Sequence, residues 1–344
     1  MLEQQRHIDL HLPTGWNQAT TEELEHIAAA IIYAQQRQDR YHPFDWAQVK
    51  LMAVLAINGL TVSEEFFDKQ SGKAERRVKS EEFAAANDET YMVKRQQDKE
   101  PWPITTGQLC DLCSHLDWIE DPKPRYPLFA FPYPELTIEI PEALRKDSGS
   151  RSDGGSKFFT LHSSLFTLQG PPPLLDGYTW QEYRWLTDWM QAYMQQTNAH
   201  RDATDARNEF LAVLFKGKND NKDNRDNGSA EANSSLFTLH SSLFTAFDAV
   251  KWQVILFWWS ALMLQLERKV PKVFKQQPVG KQRRQQKDTP WDFYNRVIAT
   301  IQKYVGGLSE QDVNTASYGT ILQQLDMMAR EAEEMERLNK KYKK

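Results

Sequence analysis

Cysteine is scarce in this 344-residue chain: Cys110 and Cys113 are the only two, too few for a disulfide framework. A charge excess of one sign is missing as well. Lysine and arginine number 42 against 47 acidic residues, for a net charge of −5, so nothing drives the whole chain toward nucleic acid. Long hydrophobic runs are absent. The longest, residues 254–264, is broken by Ser260 and bracketed by Gln253 and Gln265. As a helix it reaches roughly 16 Å, short of the roughly 30 Å hydrocarbon core of a bilayer, so a buried core helix is expected and no membrane span. Residues 1–7 hold no apolar export core, and the expectation is a cytoplasmic protein. The chain also lacks a P-loop, GxGxxG, GxSxG or HExxH. The reading is therefore a non-enzymatic protein with no catalytic residues, no metal and no cofactor.

Aromatic side chains are what the sequence has in quantity: 12%, including 11 Trp. Each can bury roughly 150–250 Å², enough to drive large cores in a chain whose length calls for more than one domain. Helical spacing dominates. Thr20 and Glu23 fit a capping box ahead of Leu24, Ile27, Ala28 and Ile31. Asp45 is placed to cap a second helix that ends at Asn58-Gly59, and Thr105 with Gln108 opens a third. Thr179 and Glu182 precede an aromatic stripe of Trp180, Tyr183, Leu186, Trp189, Met190 and Tyr193. Trp252, Phe257, Trp258 and Trp259 fall on several faces of the apolar helix. Trp291, Tyr294, Ile298 and Ile301 face the core of a helix that starts at Pro290 and stops at Gly306-Gly307. A last helix, from Tyr318, has Ile321, Leu322, Leu325, Met328 and Ala332 on its apolar face and a charged, solvated tail. Residues 7–13 and 89–95 alternate as strands do.

The fold class expected is mainly α, with a minor α+β N-terminal region and long flexible linkers. Residues 1–145 form that region, and 146–178, rich in Ser and Gly at its start, a linker. Residues 179–267 form an aromatic-rich helical region interrupted at 216–245 by a polar insert. Residues 268–288 are a basic, Gln-rich linker, and 289–344 a C-terminal helical pair. Two tracts, residues 159–168 and 234–245, are windows onto one cycle, Phe-Thr-Leu-His-Ser-Ser-Leu. A heptanucleotide DNA repeat, TTCACTC, encodes that cycle in every frame, which suggests inserted repeats tolerated beside linkers.

Three constellations invite chemistry, and each has a plainer reading. Cys110-Asp111-Leu112-Cys113 is a lone CxxC without a second ligand pair or a βαβ setting, and Cys113 shares a helix face with Leu109 and Leu116, so buried structural thiols are expected. His7, Asp9 and His11 share one strand face as an exposed polar edge. The basic stretch 268–288 lacks interleaved stacking aromatics apart from Phe274, so nucleic acid is not the expected partner.

Several stretches resemble phage and prophage tail-assembly chaperone-like proteins. These are Leu12-Pro13-Thr14-Gly15-Trp16 leading into Thr21-Glu22-Glu23-Leu24, Tyr178-Thr179-Trp180 with its helix, residues 210–215, and the C-terminal unit from Trp291. The resemblance implies a protein that binds tape-measure or tail-tube subunits during assembly. The expected mechanism is capture of an amphipathic partner helix in apolar grooves, with Trp180, Tyr183, Trp189, Trp252, Trp258 and Trp291 as the partner-binding residues. The alternatives are a structural virion or scaffold component, and a nucleic-acid-binding accessory protein acting through the basic linker.

Overall fold

The computed structural model describes residues 10–38, 43–62, 90–95, 98, 101–121, 127–128, 130–139, 165–215, 244, 247–274 and 290–342. The fold is mainly α with two small antiparallel sheets. The chain divides into two compact units, residues 1–132 with 248–261, and residues 133–247 with 262–344.

The first unit is built on α1 (Thr21–Gln36) and α2 (Trp46–Ile57). The Thr20 hydroxyl accepts from the Glu23 amide, and the Glu23 carboxylate accepts from the Thr20 amide at 2.7 Å. Two of the first-turn donors that a helix cannot satisfy internally are thereby paired. Asp45 caps α2 by accepting from the Ala47 amide, and Gly59 closes it at φ +61, a conformation a side chain would strain. Leu24, Ile27, Ala28, Val49, Ala53 and Val54 are buried on these helices.

Strands β1 (Leu60–Val62), β2 (Thr90–Arg95) and β3 (Trp102–Thr105) follow as one antiparallel sheet, with Val62 opposite Val93 and Val93 opposite Trp102. Thr105 ends β3 and caps α3 (Thr106–Ser114) with Gln108 as its partner. Val93, Ile104 and Leu109 form the core between this sheet and α3. Trp16 lies edge-on to Trp118 at 4.8 Å, and the Trp118 indole donates to the Pro13 carbonyl.

In the second unit, β4 (Glu135–Glu139) pairs antiparallel with β5 (Leu165–Gln169). A short 3-10 turn, Pro173–Leu175, leads to α4 (Trp180–Asn198), which packs against α5 (Thr204–Leu214). Helix α6 (Ala249–Lys269) is assigned to the first unit through Ala261 and to the second beyond it. Then come α7 (Pro271–Phe274), α8 (Pro290–Val305), α9 (Glu310–Thr315) and α10 (Tyr318–Tyr342). Asp326 of α10, buried, accepts from the Lys272 amide at 2.8 Å and from Arg330 Nε at 2.6 Å, so a carboxylate from α10 caps α7.

These units differ from the divisions expected from sequence. Residues 289–344 do not stand apart: the Trp180 amide donates to Ala316, and the Tyr318 amide donates to Tyr178. The linker expected over 146–178 holds β5 and a turn in which Leu175 and Tyr178 are buried. Both repeat tracts reach the described residues at their C-terminal ends. Residues 165–167 lie in β5, whereas the matching Phe244 of the other tract is buried, its ring stacked 5.9 Å from Phe215. Arg207 holds that second site by donating to the carbonyls of Phe244 and Phe247. The strand expected from residue 7 lies outside the described residues as far as Asp9, and residues 10–13 are not in a strand. Residues 146–157, 216–243 and 275–289 also lie outside them.

Candidate functional site

Four of the six aromatic residues expected to bind a partner are core. Trp180 is 0% exposed, Trp258 2%, Tyr183 4% and Trp252 4%. A capture surface built on them is corrected by this burial, because the grooves they would line are filled by the protein's own side chains. Phe131 lies edge-on to Trp258 at 4.8 Å. Tyr318 stacks on Tyr183, and Trp180 lies 5.8 Å from Tyr183. Trp189 is half-buried, and the side chain of Trp291 lies outside the described residues.

The thiols do not form a reactive pair. Cys110 is exposed and Cys113 half-buried. Burial, helped by neighbouring Cys110 and Asp117 against Lys50, pushes the Cys113 thiol up to about 11, which keeps it protonated. The exposure of Cys110 corrects the expectation that both thiols are buried. Lys50, which pairs with Asp117 at 2.5 Å and with Glu120, binds the 3-10 turn Asp117–Ile119 to α2. Among the described residues, no group of three or more His, Cys, Asp or Glu is arranged to hold a metal ion. His11, from the trio at the N-terminus, lies 3.1 Å from Glu23, and its amide donates to Asn58. By length and composition α6 is the one described helix able to cross a membrane. Half of its apolar window is buried inside the protein (50%).

Among the described residues, exposed large apolar side chains occur on several elements, as Trp185 and Met194 on α4 and Tyr304 and Val305 on α8, but α10 carries the most, from Met327 to Tyr342. Tyr318, Ile321, Leu322 and Met328 anchor its first half in the second unit. From Glu331 to Tyr342 every residue is exposed, yet the helix continues. Met335 is 59% exposed, Leu338 39% and Tyr342 84%. The spacing that made the buried face runs on into them. Ile321, Leu325, Met328, Ala332, Met335, Asn339 and Tyr342 alternate steps of four and three, a seam that drifts about 20° per heptad around a straight helix on its way from core to solvent, with Leu338 on its flank. Lys272 holds Glu333, and Lys340 pairs with Glu336 at 2.6 Å, one turn apart. The sequence pattern contained this signal. It is masked by the charge density of the tail, which reads as a solvated end.

The chain matches no protein-family model, no curated protein and no solved structure.

Proposed function

We propose that this chain is a non-enzymatic interaction protein that binds a partner helix along the exposed end of α10. The observation that carries the reading is the continuation of the apolar seam of α10 into solvent, where Met335 and Tyr342 on the seam and Leu338 on its flank are exposed. Aromatic and Met side chains are enriched at interface centres, and helix recognition uses residues spaced three and four apart. Among the buried aromatic residues, Tyr183 acts one step back, by stacking on Tyr318 at the base of α10. The likeness to tail-assembly chaperone-like proteins supports tape-measure or tail-tube subunits, met in the cytoplasm of a host cell, as the partner class.

Affinity capture of the tagged full chain from its host tests this, with the double variant Met335→Glu/Leu338→Glu alongside. The expected result is tail-tube or tape-measure subunits at comparable stoichiometry with the native chain and their loss with the variant. Equal recovery with both chains would contradict the role of α10. Recovery of no tail subunit would contradict the tail-assembly role.

A further inference from the structure

We propose that the exposed end of α10 pairs antiparallel with the same segment of a second copy of this chain. This rests on the reading of α10 as the interaction surface and names one occupant for it. The charges along the helix supply the argument. Glu331, Glu333, Glu334 and Glu336 are followed by Arg337, Lys340 and Lys341, so the segment is acidic in its first half and basic in its second. Glu333 is engaged by Lys272, which leaves Glu331 and Glu334 as the outward acidic pair.

Orientation follows from placing two such segments stripe to stripe. In a parallel pair, Glu331 of one helix flanks Glu336 of the other, and acid faces acid along the contact. Reversing one helix about Arg337 sets the acidic half of each copy level with the basic half of the other. In that register Ala332 faces Tyr342 and Met335 faces Asn339, while Leu338 is level with Glu336 of the other copy and about 3 Å along the axis from its own counterpart. Ala332, the smallest residue of the stripe, leaves room for the Tyr342 ring. A solvated, charge-paired helix end would account for Glu336 and Lys340, but not for three large apolar side chains on one side of it.

The facing segment, residues 332–342, is roughly 16 Å long, and its contact falls below the roughly 1,000 Å² of a stable interface. A contact of that size belongs with weak, transient complexes, so the dimer is expected at high protein concentration. Salt screening weakens it, because the charges are solvent-exposed.

Sedimentation equilibrium of the full chain from about 10 to about 500 µM decides the matter. The weight-average mass is expected to climb toward the dimer, and Met335→Glu/Leu338→Glu is expected to hold it at the monomer. Circular dichroism of that variant should match the native chain, since both positions are exposed. For orientation, Ala332→Cys and Tyr342→Cys chains, each also carrying Cys110→Ser, are mixed and oxidised. Disulfide-linked heterodimer between the two variants is expected in excess over Tyr342→Cys homodimer. A monomeric native chain across the range would overturn self-pairing, as would a mass rise untouched by the double variant. Tyr342→Cys homodimer in excess would overturn the antiparallel register. A native chain that stays monomeric yet captures tail subunits through Met335 and Leu338 would sink self-pairing alone.

Discussion

Tyr183 and Tyr318 stack face to face, with ring centroids 4.8 Å apart and planes 18° from parallel. The contact joins α4 to the start of α10, beside the bridge between Thr179 and Ser317. Tyr318 also donates its hydroxyl to the Leu174 carbonyl. Two residues 135 positions apart (318 minus 183) thus fix the base of the helix whose far end is exposed. A chain ending at residue 288 would uncover Tyr183 and the edge of Trp180. Its second unit is expected to lose part of the near-UV circular dichroism and its cooperative unfolding step, while the first unit, with buried Trp16, Trp252 and Trp258, keeps its own. Native-like cooperative unfolding of that shortened chain would mean that residues 289–344 are a separate domain.

The buried and exposed aromatic positions should separate cleanly in stability. Trp258→Ala removes a side chain packed on Phe131 and is expected to cost about 3–5 kcal/mol. Met335→Ala and Tyr342→Ala, on the exposed stripe, are expected to stay within about 0.5 kcal/mol of the native chain. Urea unfolding of the three variants measures the difference.

Helix caps offer a narrower test. The Thr179 hydroxyl accepts from the Glu182 amide at 3.2 Å, and the Glu182 carboxylate accepts from the Thr179 amide at 2.7 Å. Thr179→Ala is expected to cost about 0.5–2 kcal/mol, and Thr179→Ser much less. A thermal melt of both variants checks the order.

Much of this architecture was legible in the sequence because it rests on local chemistry. The capping boxes at Thr20, Thr105 and Thr179 each join two residues three apart, and each stands where the spacing expects it. A fourth, Ser309 with Asp312, opens the six-residue α9, which is too short to carry a period. What escaped was non-local. Strand β5 arises from a repeat tract that looks like an insertion, and its partner β4 lies in a proline-rich stretch near residue 135. The tract peptides agree residue for residue, yet one contributes to β5 and the other buries Phe244 against Phe215, so context decides the structure. The candidate surface was misread for a related reason. Bulky aromatics on several faces of a helix are compatible with a core or a partner, and only burial separates the two.

Two tyrosines predict how stability responds to alkali. Burial pushes the Tyr178 phenol far above its ordinary value, and the Tyr318 phenol up to about 12. Each is raised in the fold, so each contributes stability that is complete below pH about 10 and is lost as pH climbs toward the folded values. Tyr178 donates to the Leu214 carbonyl, a bond its ionised form cannot make. The midpoint of urea unfolding is expected to fall between pH 10 and 12. Tyr178→Phe, which is expected to be about 1–2 kcal/mol less stable at pH 7, should lose less over that interval.

The cysteines should differ in reactivity. At pH 8 a thiol with its pKa near 11 is thiolate in roughly one molecule in a thousand, and Cys113 is half-buried besides. Iodoacetamide at that pH is expected to label Cys110 well before Cys113, as peptide mass spectrometry would record. Equal labelling would contradict the burial of Cys113.

The proposed contacts fall on the exposed end of α10 and not on the buried aromatic residues. A photo-crosslinking amino acid placed at Met335, and separately at the exposed Gln323 of the same helix, tests this in the host cell. Adducts with tail-tube or tape-measure subunits, or with a second copy of the chain, are expected from position 335 and not from position 323. Equal adduct yields from the two positions, or none from position 335, would contradict the account.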